Sequence, residues 1–181
     1  MPDDWRDVKL GELCTFRYGK MPIKSRVSND KSLFPIYSGY RNAGYYDEYN
    51  IEKGELIVVA RGVGGTGDVK LTPSRCYLTN LSIAIDVGEY AVLRSYLYNL
   101  YQMANLRYLD SGSAQSQITI SDLQNTVIVL PDKDTLCKFG EVSDTIFTQI
   151  QANQVESACL AEMRDTLLPK LMSGELSVAD I

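Results

Sequence analysis

Phe139, Ile146, Asn153, Leu160 and Leu167 recur every seven residues in the last third of the chain, and Val142, Ile150, Met163 and Leu171 follow three or four positions behind. This pattern predicts a helix of about 35 to 40 residues, roughly 50 to 60 Å long, with an apolar stripe too narrow and too long for one small domain to cover. It therefore asks for a partner helix. Asn153, with Glu156 and Ser157 nearby, is the polar middle of the seam, and a lone Asn at a core position costs stability while fixing register and orientation. The rival reading, a long helix lying on its own domain, fits the narrow width and polar middle less well. The seam ends in Arg164-Asp165-Thr166-Leu167-Leu168-Pro169-Lys170-Leu171-Met172-Ser173-Gly174-Glu175-Leu176, a leucine-rich final turn followed by a proline, a lysine and a glycine stop.

With 181 residues there is room for one globular domain and a helical appendage. No apolar run approaches the ~18 residues of a membrane span, and no basic, apolar leader opens the chain, so a cytoplasmic protein away from the membrane is expected. Cys14, Cys76, Cys137 and Cys159 show no C-x-x-C spacing, which fits reduced thiols better than a disulfide framework or a zinc site. Histidine is absent. Ser-His-Asp, Cys-His and H-E-x-x-H chemistries are thereby excluded, and catalysis is disfavoured.

The net charge of −5 argues against a simple polyanion binder, but the charge is unevenly spread. Residues 1–132 hold 14 Lys and Arg against 15 Asp and Glu; the remaining 49 hold 4 against 8. Within residues 14–31, Arg17, Lys20, Lys24, Arg26 and Lys31 stand against Asp30. A local basic patch of this kind suits phosphate contacts on an acidic protein.

Trp5, Val8, Leu10 and Leu13 give an amphipathic start, punctuated by Gly11 and Gly19. Up to about residue 88 the texture is β: Phe34-Pro35-Ile36-Tyr37, Glu55-Leu56-Ile57-Val58-Val59-Ala60 and Leu81-Ser82-Ile83-Ala84-Ile85 are β-branched or aromatic runs between turn residues. They predict a curled, mostly antiparallel sheet. Leu93, Leu97, Leu100 and Ala104 switch to helical spacing over residues 90–109, and Asp110-Ser111-Gly112-Ser113 ends that helix. A polar loop, Ala114-Gln115-Ser116-Gln117, leads to residues 118–123, a strand at 126–130 and Pro131. Pro131 is the best boundary. Asp132 or Asp134 caps the long helix beyond it. The fold class is α+β: a β-rich domain with a short helical part over residues 1–131, then one long C-terminal helix and tail over 132–181.

Gly62-Val63-Gly64-Gly65-Thr66-Gly67 matches G-x-G-x-x-G after an apolar strand, with Asp86 about 20 residues on. A dinucleotide site needs a helix to start at the third glycine so that its N-terminus holds the pyrophosphate. Asp68-Val69-Lys70-Leu71-Thr72-Pro73 follows instead, β-branched and broken by proline, so a Gly-rich hairpin is expected. Its bare backbone beside Arg61 can approach a nucleic-acid phosphate. The tyrosines at 37, 40, 45, 46 and 49 around Arg41 read mostly as half-buried sheet residues. Gln115 and Gln117 are side chains able to read an adenine edge bidentately, although a solvated loop is the simpler reading. Asp132-Lys133 and Asp68-Val69-Lys70 lack the second acid of a nuclease metal site. No N-P-P-Y-like tetrapeptide or G-K-[ST] loop is present. No cofactor and no metal are expected.

Trp5-x-x-Val8-Lys9-Leu10-Gly11-Glu12-Leu13, the segment from Gly112-Ser113-Ala114-Gln115 to Leu130-Pro131, and above all Leu167-Leu168-Pro169-Lys170-Leu171-x-Ser173-Gly174-Glu175 resemble the specificity subunit of Type I restriction-modification systems. The resemblance implies a target recognition domain and a long helix. A full subunit of that family carries two of each, the helices pairing as an antiparallel coiled coil between the halves of a split DNA site. This chain, beginning at Met1, holds one of each, and the resemblance implies a half-length form that dimerises with itself or with another specificity chain. The partners it implies are double-stranded DNA with a bipartite site, DNA methyltransferase subunits and, through them, the restriction subunit, where catalysis belongs. Phosphate contacts are expected from Lys20, Lys24, Arg26 and Arg61, base reading from Arg41, Gln115 and Gln117, and dimer contacts from Phe139, Val142, Ile146, Ile150, Asn153, Leu160, Met163, Leu167 and Leu171. Two other readings stand beside this one. A non-DNA interaction module on a helical stalk is favoured by the net charge, and a dinucleotide enzyme requires a helix starting near Gly67.

Overall fold

The structure is a computed structural model that describes residues 4–39, 42–62, 65–88, 91–110 and 116–175. The chain divides into two compact units, residues 1–140 and 141–181. Among the described residues, the first unit contains β1 (Arg6–Lys9), the one-turn helix α1 (Leu10–Leu13), β2 (Thr15–Tyr18), β3 (Phe34–Tyr37), β4 (Asn42–Tyr46), β5 (Leu56–Val59), β6 (Val69–Leu71), β7 (Tyr77–Leu78) and β8 (Ser82–Asp86). It continues with α2 (Ala91–Ala104), α3 (Ile120–Asn125) and β9 (Val127–Leu130), with 3-10 turns at Lys24–Arg26 and Arg107–Leu109. Helix α4 (Lys133–Met172) begins in this unit and runs on through the second. The predicted α+β class holds.

The unbroken apolar run of β5 reads as a strand covered on both faces, because no polar position alternates with the apolar ones. β5 lies inside the antiparallel sheet ordered β2-β8-β5-β6, and all four of its side chains are buried. Leu56 and Val58, with Ile83 and Ile85 of β8, meet Leu93, Leu97 and Tyr101 of α2 in the main core. Ile57 and Ala84 point the other way, into a cluster with Ile51, Cys76 and Leu78 against which Tyr37 packs. Strand alternation thus builds two cores from one sheet. Tyr37 and Leu78 belong to a second sheet, ordered β4-β3-β7, in which β3 and β4 are antiparallel but β3 and β7 run parallel.

The amphipathic start resolves into β1 and α1. β1 pairs antiparallel with β9, matching Val8 to Ile128, and joins the two ends of the unit. The expected helix over 90–109 ends earlier than its spacing suggests: α2 stops at Ala104, and Asn105 takes a positive φ of 28° with its side-chain oxygen accepting from the Arg107 N–H at 3.1 Å. An Asn that satisfies the backbone locally competes with continued helix. Leu106 then turns into the core.

Thr119 and Asp122 form a capping box that starts α3, each side chain accepting from the other's backbone N–H, at 2.8 and 3.3 Å. Asp132 starts α4, accepting from the Thr135 N–H at 2.9 Å, and hydrogen bonds from the Thr135 side chain and backbone hold its carboxyl below the ordinary range. Phe139 meets Tyr96 edge-on, with centroids 6.1 Å apart, and Gly140 leaves space that Val92 fills: a Cβ there would stand 2.6 Å from Val92 Cγ1. Pro169 lies within α4, where its missing N–H leaves the Asp165 carbonyl without an i+4 donor, and Gly174 at φ 76° ends the chain's helical course after Met172. Among the described residues no helix is long and apolar enough to cross a membrane.

Candidate nucleic-acid interface

Pairing in the four-stranded sheet brings distant segments to one end of it. Tyr18 faces Ile83, Val59 faces Ser82 and Val58 faces Val69, so the exits of β2 and β5 lie beside the starts of β6 and β8. Lys20 follows that exit of β2, after Gly19 passes so close to the end of β7 that a Cβ would stand 2.2 Å from the Thr79 carbonyl. Arg61 follows the exit of β5 and donates its N–H to the Leu81 carbonyl at 3.1 Å. The β3–β4 turn approaches the same end, because Ser82 Oγ donates to the Ser38 carbonyl at 3.1 Å. Arg41, which precedes β4 in the sequence, lies outside the described residues.

Residues 65–67 of the glycine-rich segment form a turn ahead of β6, and no helix begins at Gly67: the strand starts two residues later, at Val69. The dinucleotide reading is thereby removed, since no helix N-terminus is available for a pyrophosphate. Gly67 is required for a different reason. Its φ is 91°, and a Cβ would stand 2.6 Å from the Arg107 N.

Gln117 is held next to Arg61 by an isolated antiparallel bridge, and Ile118 N–H donates to the Ala60 carbonyl at 3.0 Å. Asp110 secures the same place, accepting from the Gln117 N–H at 3.2 Å and from Ser116 Oγ. Gln115 lies outside the described residues, in the segment that Asp110 and Ser116 flank. The fold thus gathers Lys20, Arg61 and Gln117 at one end of the sheet.

Lys24 and Arg26 are set elsewhere, on the 3-10 turn whose neighbour Ile23 donates its N–H to Tyr46 Oη at 3.4 Å. Tyr46 is at the far end of the β3–β4 hairpin from its turn. Lys24 is exposed. Arg26 is engaged: its guanidinium meets Asp47 and Glu48 at 2.7 Å each and lies 4.7 Å over the Tyr46 ring. The Arg26 hydrogen bond holds the Asp47 carboxyl below its ordinary range. Sequence distance hid this pairing, since the two acids lie more than twenty residues on. Arg107 and Tyr108 are the exposed groups at the convergent end that sequence reasoning missed; an Arg-aromatic pair just before the polar segment was their signal.

On α4, Val142, Ile146, Leu160 and Met163 are each more than half exposed, and Ile150 is 44% exposed. Leu167 and Leu171 are half-buried. Asn153 is exposed, and its side-chain oxygen accepts from Gln149 Nε2 at 2.9 Å. Phe139, the first member of the seam, is the one that touches Tyr96.

The model of the Type I restriction modification DNA specificity domain matches residues 2–156. The Type I restriction enzyme HindI specificity subunit of Haemophilus influenzae is 31% identical over 198 aligned positions, covering 97% of this chain and 42% of that protein. The MjaIX specificity subunit of Methanocaldococcus jannaschii is 29% identical over 141 residues, covering 75% of this chain and 31% of its own length. The chain thus spans less than half of the curated relatives it matches. The crystal structure of the Type I restriction-modification system S subunit from M. genitalium shares the fold, with a TM-score of 0.78 at 18% identity over 93% of this chain and 46% of that one. A domain match over most of the chain, together with these relatives, places it: this chain belongs to the family of Type I restriction-modification DNA specificity domains.

Proposed function

We propose that residues 1–131 read one half of a bipartite double-stranded DNA site and that residues 132–181 supply a pairing and spacing helix. The juxtaposition of Arg61 with Gln117 carries this reading, because a cation suited to phosphate stands beside an amide suited to a base edge. Lys20 and Lys24 join Arg61 as phosphate contacts, while Arg26 braces its turn through Asp47 and Glu48. Arg41 and Gln115 complete the base-reading set with Gln117. The exposed seam from Val142 to Leu171 pairs with a second copy or another specificity chain as an antiparallel coiled coil, with Asn153 at its middle. The assembly docks DNA methyltransferase subunits, which supply the catalysis, and through them the restriction subunit.

Selection of duplexes from a random library, by the chain with a cognate Type I methyltransferase, is expected to enrich a split motif. Gln117→Ala should then relax one base position by about 1 to 3 kcal/mol, whereas Lys20→Ala should weaken all sequences alike and lower the salt slope by about 1. Equal losses on selected and scrambled duplexes would remove Gln117 from the base readers. Absence of any enriched motif would favour the protein-interaction module instead. Sedimentation tests the pairing: a monomer unchanged by methyltransferase and DNA would sink it.

A further inference from the structure

The 3-10 turn Arg107–Leu109 is fixed from both sides. Leu106 is fully buried and its N–H donates to the Gly67 carbonyl at 3.2 Å, while Leu109 packs on the main core. On the other side Asp110 accepts from the Gln117 N–H. Backbone and leucines are thus held by the β5–β6 turn and the Gln117 bridge, and Arg107 and Tyr108 are left facing outward. Tyr108 is 66% exposed. A tyrosine carries a flat apolar ring and a hydroxyl on two rotatable bonds, so presenting it to a ligand costs little conformational entropy. Arg107 Nη2 lies 3.0 Å from Asp68 Oδ1, with side chains 58% and 29% exposed. An ion pair open to water to this degree is weakly held, and a phosphate carries the same recognition chemistry as the carboxylate.

We propose that Tyr108 and Arg107 form a further DNA-contacting pair beside Arg61 and Gln117, with Asp68 as the competitor that a phosphate displaces from Arg107. The inference rests on the DNA-reading function proposed above and adds two contacts and one restraint to it. Tyr108 packs its ring against the groove edge, Arg107 meets the backbone, and Asp68 limits the attraction of unrelated sequences by neutralising Arg107 until a closely fitted duplex arrives.

The test uses the full chain with a cognate Type I methyltransferase subunit and two probes, a duplex selected by the wild type and an unrelated duplex of equal length. Tyr108→Ala is expected to weaken the selected duplex about tenfold with an unchanged unfolding midpoint, and Arg107→Ala to lower the salt slope by about 1. Asp68→Asn is expected to tighten the unrelated duplex and so narrow the ratio between the two. Wild-type affinity for Tyr108→Ala with an unaltered slope for Arg107→Ala overturns the pair and leaves the DNA-reading function standing. Unchanged binding of the unrelated duplex by Asp68→Asn overturns the restraint. A wild-type complex that selects no duplex overturns the function itself, and the pair with it.

Discussion

In β5 every side chain is buried, whereas on α4 the equally apolar Val142, Ile146, Leu160 and Met163 each stand more than half exposed. The chemistry is the same and the periodicity differs. A run apolar at every position places groups on both faces of a sheet, where α2 and the second sheet cover them within one chain. A seven-residue period places groups along one line of a helix, and only another helix has the matching line. Stability of the first unit is therefore a property of the chain, while under the pairing proposed above the contribution of the seam depends on partner concentration.

The widest separation should appear between Leu97→Ala and Ile146→Ala in denaturant unfolding of the dilute chain. Leu97 is fully buried, and its truncation is expected to cost about 2 to 5 kcal/mol. Ile146→Ala should stay within about 0.5 kcal/mol of the wild type. A comparable loss at Ile146 would break the comparison by showing the seam already covered. Gly67→Ala comes next, at about 1 to 3 kcal/mol, because the residue sits at φ 91° against the Arg107 backbone; an unchanged unfolding midpoint would remove the argument for a required glycine there.

The smallest effect belongs to the start of α4. The Asp132 carboxyl is lowered on folding by its bond to Thr135, so its contribution is present above the ordinary value of 3.8 and lost as pH falls through the lower folded value. Helical circular dichroism is expected to decline in that acid window, and Asp132→Asn, which caps without titrating, should lack this component. Identical acid curves for the two proteins would assign the decline to other groups.

What was legible in the sequence was local. The seam, the apolar run of β5, the cap at Asp132 and the missing helix after Gly67 are each written within a few neighbouring residues. The parallel pairing of β3 with β7 and the closure of β1 on β9 depend on strands far apart in the chain, and no short-range pattern encodes them. The site divides in the same way. Lys20, Arg61 and Gln117 were recognisable as residue types, but their convergence is a product of sheet register. No local pattern encodes the pairing of Arg26, because Asp47 and Glu48 reach it only through the β3–β4 hairpin, and the outward setting of Tyr108 depends on Leu106 and Leu109 packing into the core.

The contacts around Asp110 have an evolutionary consequence. Leu106 and Ile118 are core residues, and Asp110, Ser116 and Gln117 tie the chain together between them, so the five positions from 111 to 115 are bracketed by a closed loop of contacts. Under the DNA-reading function proposed above, such a bracket acts as a cassette holder: substitutions inside it change the bases preferred, while the contacts that hold the fold lie outside it.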